Sequence, residues 1–376
     1  MKILIYLHHP AHFHLFKNVI SSLQSKHELI ILATKKDILE QLLANANIPY
    51  QNILPEGRKD NKVSIALGLL KQDIRLLKMC LQRKPDLLVG TSTEITHIGR
   101  ALRIPSIFVN EDDIGVIPLV GKLAYPFAEI LFVPDCCDVG KFKNKLISYA
   151  GYHELAYLHP DNFIPKGEIV DQYFDFRKRF FLMRFAKLGA HHDFGIQGID
   201  SATASRVIEI LKPHGDIYIF SERELEPEFE RFRIQIDPLD MHHVMAHAAM
   251  FIGDSQTMAA EAGVLGTPFV RFNDFVGRIG YLNELENKYK LGFGIKPDNS
   301  EALLSTINSL VRMENLKPVF SERRRAMLKD KIDVAQFMTW FIEKYPASVK
   351  VMRESPDYQY RFRSELTPNQ QEASFT

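Results

Sequence analysis

From Phe251 to Val270 the chain reads FIGDSQTMAAEAGVLGTPFV: a short apolar strand end, a small polar loop, and an Ala-rich helix that stops at Gly263 or Gly266. Thr267-Pro268 then leads into a second short apolar run. Ser255 can cap this helix, its hydroxyl taking up an orphan amide of the first turn. Such a start aims free N–H groups and the positive end of the helix dipole above the strand, a seat for a phosphate. Glu261 lies about one and a half turns further in, among small residues that let a ligand approach. A β-loop-α unit whose small residues serve only close packing has the same spacing, so the stretch alone does not choose between packing and binding.

A second concentration of chemistry opens the chain, where His8, His9, His12 and His14 follow the apolar run from Lys2 to Leu7. Imidazole titrates near neutrality and suits proton transfer. Four such rings also invite a metal, but their spacing follows no ligand rule. His191, His192 and Asp193 lack a distant third ligand for zinc, and Asn110-Glu111-Asp112-Asp113 reads equally as a metal-binding or a solvated acidic loop. Cys80, Cys136 and Cys137 match neither a metal spacing nor a paired disulfide framework, which suits a reducing, cytoplasmic setting.

The elements that must position these groups follow from periodicity. Apolar runs at 2–7, 29–33, 48–54, 87–89, 104–109 and 130–133 alternate with helical patterns at 13–23, 37–45, 65–81 and 95–102. That alternation means βαβ units and a parallel sheet. The pattern lapses in GYHELAYLHPDNFIPK (151–166), the expected connection, and resumes with strands at 180–185, 216–220 and 251–252 and helices at 201–211 and 241–248. The expected organisation is a first Rossmann-like domain over 1–160, a second over 161–345, and a partly disordered extension over 346–376. Most polar loops follow predicted strands, so they open on the carboxyl edges, where doubly wound sheets bind ligands. The 65–81 helix reads as a sheet-covering helix with snorkelling Lys and Arg, or as a membrane-surface patch; the former is preferred.

Bulk properties agree. A chain of 376 residues exceeds one ordinary core. With 46% hydrophobic and 25% charged residues it has the balance of a soluble globular protein, and a formal net charge of +1 gives no field for nucleic acid. No stretch is apolar for long enough to span a bilayer.

The stretches KILIYLHHPAHFHLFKN, GYHELAYLHP, MRFAKLGAHHDFGIQG and DSQTMAAEAGVLGTPFVRFNDFVG together resemble a prokaryotic family of uncharacterised, predicted GT-B glycosyltransferases. That family is related to lipid-linked N-acetylglucosaminyltransferases and to non-hydrolysing UDP-N-acetylglucosamine 2-epimerases. The resemblance implies an α/β chain of GT-B architecture, with two facing Rossmann-like domains and a cleft between them. It implies a nucleotide-sugar in the second domain, the loop Gly253, Asp254, Ser255, Gln256, Thr257 and Met258 facing its phosphates, and Glu261 on the ribose hydroxyls. Asp254 fits this least well, since its charge repels a diphosphate unless it caps a helix or meets a cation. Arg184 falls where the family places a diphosphate-binding group, and a guanidinium can grip phosphate oxygens in bidentate fashion. Ser221 and Glu222 end a strand that can line the nucleobase pocket, with His242 nearby.

On the acceptor side the resemblance places His12 as general base, and Glu94, Glu111, Asp112 and Asp113 are further candidates for acceptor contact or base. No metal and no cofactor beyond the donor substrate are expected. The resulting expectation is transfer of a sugar from a UDP-linked donor to a glycan or lipid-linked acceptor in cell-surface polysaccharide synthesis. It carries no nucleic-acid partner and allows peripheral contact with the inner membrane face. An epimerase on the same scaffold and a non-catalytic nucleotide-sugar-binding subunit are the rivals. Donor base, sugar, acceptor, stereochemistry and oligomeric state are not legible in these residues.

Overall fold

The computed structural model describes residues 1–36, 38–55, 62–185, 198–221 and 224–364. It contains two parallel sheets, each in its own unit. The first unit comprises Met1–Tyr157 together with Ile332–Arg363, and the second Leu158–Lys331 with Ser364–Thr376.

In the first unit, strands β1 (Lys2–Leu7), β2 (Glu28–Thr34), β3 (Gln51–Leu54), β4 (Leu87–Gly90), β5 (Ser106–Val109), β6 (Ile130–Pro134) and β7 (Leu146–Tyr149) form a sheet in the order β3-β2-β1-β4-β5-β6-β7. The central strands are near-continuous apolar runs because both faces are covered. Ile3 through Leu7 are all 0% exposed. The order reverses between β1 and β4, so loops after these two strands flank the switch point where doubly wound sheets open a crevice. β7 was not expected from the sequence. Its four residues alternate between half-buried and buried, too short a signal to stand out from its loop.

The helix Pro10–Leu23 follows β1. Pro10 sits at its first position, His9 Nδ1 accepts from Ala11 N, and Phe13, Leu15, Phe16, Val19, Ile20 and Leu23 face the core. The helix Lys62–Arg83 packs Leu76 and Cys80 into the core beneath β1 and β2. It leaves Leu70, Ile74 and Leu81 between 56% and 57% exposed, so it is not merely a covered sheet helix. Residues 70, 74 and 81 share one face at 3.6 residues per turn.

The segment expected to end the second domain and then fray belongs to the first unit instead. Ile332 N donates to Ala150 O, and the helix Val334–Glu343 is capped by Asp333, which accepts from Gln336 N. Phe337 stacks on Phe132 with centroids 5.5 Å apart, and Trp340 on Tyr358 at 4.7 Å. A Cβ on Gly151 would fall 2.4 Å from Val334 Cγ2, so a glycine is required where this helix crosses. Apolar surface on Phe132 and Tyr149 recruits the segment.

In the second unit, β8 (Phe180–Phe185), β9 (Asp216–Ser221), β10 (Met250–Gly253), β11 (Phe269–Phe272) and β12 (Gly292–Ile295) form a parallel sheet in the order β12-β11-β10-β8-β9. Its order reverses between β8 and β10.

Candidate functional site

The polar loop after β10 is held at that reversal. Gly253 lies beside Arg184 in the ladder, and a Cβ on Gly253 would come within 2.9 Å of Arg184 O and 3.0 Å of Arg184 Cβ. The two strands can therefore approach only with glycine at this position. Ser255 caps the helix Gln256–Leu265 as expected, accepting from Met258 N at 3.4 Å. Gln256 and Thr257 occupy the first two helical positions, whose amides have no acceptor within the helix. Arg184 is 6% exposed, with its guanidinium 4.5 Å from the centroid of Phe220 on the neighbouring β9. Ser221 Oγ donates to Phe185 O. Glu222, and the His191-His192-Asp193 group, lie outside the described residues.

Beneath the loop is a polar network that sequence reasoning did not anticipate. Arg271, fully buried on β11, donates from Nε and Nη2 to Glu286 Oε1 and from Nη1 to Gln256 Oε1 and Asn273 Oδ1. Asn273 Nδ2 donates to Asp254 O and to Gln256 Oε1. Burial raises the Glu286 carboxyl pKa, against the pull of Arg271. Gln256 is thus tied from below, which fixes the loop backbone. Asp254 is 2% exposed, a buried member of the loop. Glu261 is 6% exposed, and its Oε1 lies 3.0 Å from His242 Nε2 on the helix Met241–His247. The periodic pattern had put His242 near the site, but its partner was not legible because the two positions are 19 residues apart.

The first unit gathers a separate cluster. His12 is half-buried at the start of its helix. Thr91, just after β4, sets its hydroxyl 2.9 and 3.1 Å from the two ring nitrogens of His12, and His8 N lies 3.4 Å from Nδ1. Burial first, then the charges of His8, His9 and His153, hold the His12 pKa well below 6.5. The ring is therefore neutral at neutral pH, the form a base requires.

Glu94 does not share in this contact. It lies 3% exposed in the first turn of the helix Thr93–Leu102, where burial raises its pKa and Ser92 pulls it down. Asp112 is half-buried, its carbonyl accepting from Asn110 Nδ2 at 2.6 Å, and its charge acts on His153.

His153 is the residue the sequence did not offer, because it sits in the Gly-flanked connection that shows no periodicity. Glu111, after β5, grips it twice: His153 N donates to Oε2 at 3.1 Å, and Nδ1 lies 3.3 Å from Oε1. His153 Nε2 is buried and has no hydrogen-bond partner among the described residues. Burial lowers the ring's pKa to about 3. A carboxylate on one ring nitrogen leaves the other with a lone pair, the orienter-and-base arrangement of proton-transfer sites. The signal that could have found it is the pairing of Glu111, at a strand end, with the first of the two histidines of the connection.

No helix among the described residues is long and apolar enough to cross a membrane.

The two sheets have counterparts of known structure. S. aureus MnaA, solved with UDP, matches with TM-score 0.67 at 14% identity over 93% of this chain and 98% of its own. UDP-GlcNAc 2-epimerase from Neisseria meningitidis, bound to UDP-GlcNAc, matches with TM-score 0.58 at 15% identity over 88% and 99%. The glycotransferase of kitacinnamycin matches with TM-score 0.56 at 12% identity over 91% and 98%. At these identities the likeness is one of fold, and the fold is GT-B. The sequence matches no curated protein. A family model described as a protein of unknown function (DUF354) matches residues 1–275, and the chain belongs to that family.

Proposed function

We propose that the protein is a glycosyltransferase that takes a sugar from a nucleoside diphosphate donor, UDP-linked, and passes it to a hydroxyl of a glycan or lipid-linked acceptor. The observation that carries the reading is the seat at the β8/β10 reversal, where Arg184 and the uncommitted amides of Gln256 and Thr257 flank Gly253. A diphosphate takes backbone N–H donors, the helix dipole and one guanidinium there. Glu261, oriented by His242, accepts from ribose hydroxyls, and Ser221 borders the base. Asp254, buried in the loop, supports the backbone. Solved neighbours that carry UDP or UDP-GlcNAc on the same fold support the choice of donor.

His12 takes the acceptor proton. Its neutral ring, kept so chiefly by burial, is the competent form. The acceptor hydroxyl attacks the anomeric carbon, the bond to the diphosphate oxygen breaks, and the nucleoside diphosphate leaves with its charge met by Arg184 and the helix amides. No metal is needed for that step, so chelation with EDTA leaves turnover unchanged. Lys71 and Lys78 flank the exposed apolar face of the helix Lys62–Arg83, which favours an acceptor presented at an anionic lipid surface.

A second reading is epimerisation of a UDP-sugar, favoured by the epimerases among the neighbours. Incubation with UDP-GlcNAc alone, followed by NMR of the sugar, separates the two: a new isomer without acceptor would establish the epimerase and exclude the transferase.

A further inference from the structure

The second unit holds a cavity of about 430 Å³ that takes no part in the site above. It lies at the opposite edge of the same sheet. Arg179 immediately precedes β8, Ala248-Ala249 precede β10 and Thr267-Pro268 precede β11, and all of them line it. The candidate donor seat uses the other ends of those strands.

The lining is strongly cationic. Arg179, Arg312, Lys317 and Arg324 contribute four positive groups against one carboxylate, Glu314, with proline, alanine and leucine side chains between them. Two of the cations are fixed by the backbone: Arg179 Nη2 donates to Val311 O at 3.0 Å, and Arg324 Nε to Val264 O at 2.8 Å. Burial first, and then the charge of Lys317 in the same lining, lowers the His247 pKa, and desolvation lowers that of Lys317 itself. Like charges gathered in a concavity repel one another, and they are stabilised when an anion enters.

Two further features point to a ligand. The helix Leu316–Asp330, 15 residues long, starts in the wall of the cavity, and its N-cap Asn315 makes no side-chain capping bond. Pro318 has no N–H, so the amides of Leu316 and Lys317, with the helix dipole, are what add to the positive field. One turn further on, Ser321 Oγ is buried in the same wall with no hydrogen-bond partner among the described residues. A buried hydroxyl without a partner costs free energy that a bound oxyanion would recover.

We infer that this cavity is a second binding site, for a compact phosphate- or pyrophosphate-bearing metabolite, on the sheet edge opposite the donor seat. The phosphate lies between the helix amides, Lys317 and Ser321, with Arg312 and Arg179 closing over it. The apolar walls hold a small organic body, and the volume suits a ligand of sugar-phosphate size.

The test uses the full chain carrying Arg184→Ala, which disables the donor seat, titrated calorimetrically with inorganic phosphate and with pyrophosphate. Saturable binding is expected in that background. Adding Lys317→Ala weakens it at least tenfold, and so does adding Ser321→Ala. An unchanged unliganded melting temperature verifies that the Lys317 replacement leaves the fold intact. Absence of saturable binding in Arg184→Ala, or equal affinity with and without Lys317, overturns the inference. UDP titrated into the wild-type chain and into Arg184→Ala reports separately on the donor seat, so either site can fail without the other.

Discussion

Two imidazoles held neutral by burial dominate the chemistry of the first unit, and their protonation has a sign that can be measured. Each has a folded pKa below the ordinary 6.5, so the unfolded chain takes up a proton first as pH falls. Their contribution to stability is full above pH 6.5 and is lost as pH drops below it. For His153, with a pKa of about 3, the loss between pH 7 and 5 is about 2 kcal/mol. His153→Gln removes this term, so chemical denaturation at the two pH values shows the variant losing about 2 kcal/mol less than the wild type; equal losses contradict the burial of a neutral ring. His12→Ala is expected to lower turnover about 10²- to 10⁴-fold while leaving donor affinity as it was. At this scale the sequence spoke unevenly. His12 and Arg184 stood out in the sequence because one opens the helix after β1 and the other sits near the carboxyl end of β8, where such sheets place polar groups. His153 did not, and although Glu111 stood out in its acidic loop, its meeting with His153 depends on two loops that share no period. The pairing of His242 with Glu261 was hidden because the two lie on separate helices, 19 residues apart.

The β10 loop and its helix form an element whose rigidity comes from beneath. Arg271 is a fully buried guanidinium satisfied by Glu286, Gln256 and Asn273, which surround it. Arg271→Met strands the Glu286 carboxylate and is expected to cost about 3 to 5 kcal/mol in denaturant unfolding, whereas the double change with Glu286→Leu costs much less. Similar losses in the two would mean that packing around Arg271, rather than its ion pair, holds the loop. Ser255→Ala removes a long capping bond and should cost about 0.5 to 1 kcal/mol. The strand–loop–helix character of this stretch was plain from its small residues and turn chemistry. The network under it was not, because Arg271 lies inside an apolar strand, FVRF, where a buried arginine breaks the pattern that identifies strands.

On the scale of the whole chain, two doubly wound sheets were legible from the alternation of apolar runs, which survives single misplaced elements such as β7. The path of the C-terminus was not. An amphipathic helix announces that it has a buried face, but not which sheet will cover it, and Val334–Glu343 returns to the first unit through aromatic stacking on Phe132. Truncation after Lys331 should therefore destabilise the first unit rather than trim a tail, seen as exposure of β6 and β7 amides in hydrogen exchange. Unchanged protection there would place the helix elsewhere. The proposed diphosphate seat at the β8/β10 reversal is tested most directly by calorimetric titration of UDP into the wild-type chain and Arg184→Ala. Saturable binding by the wild type that weakens at least tenfold in Arg184→Ala is the predicted result; no binding by the wild type, or equal binding by both, would contradict it.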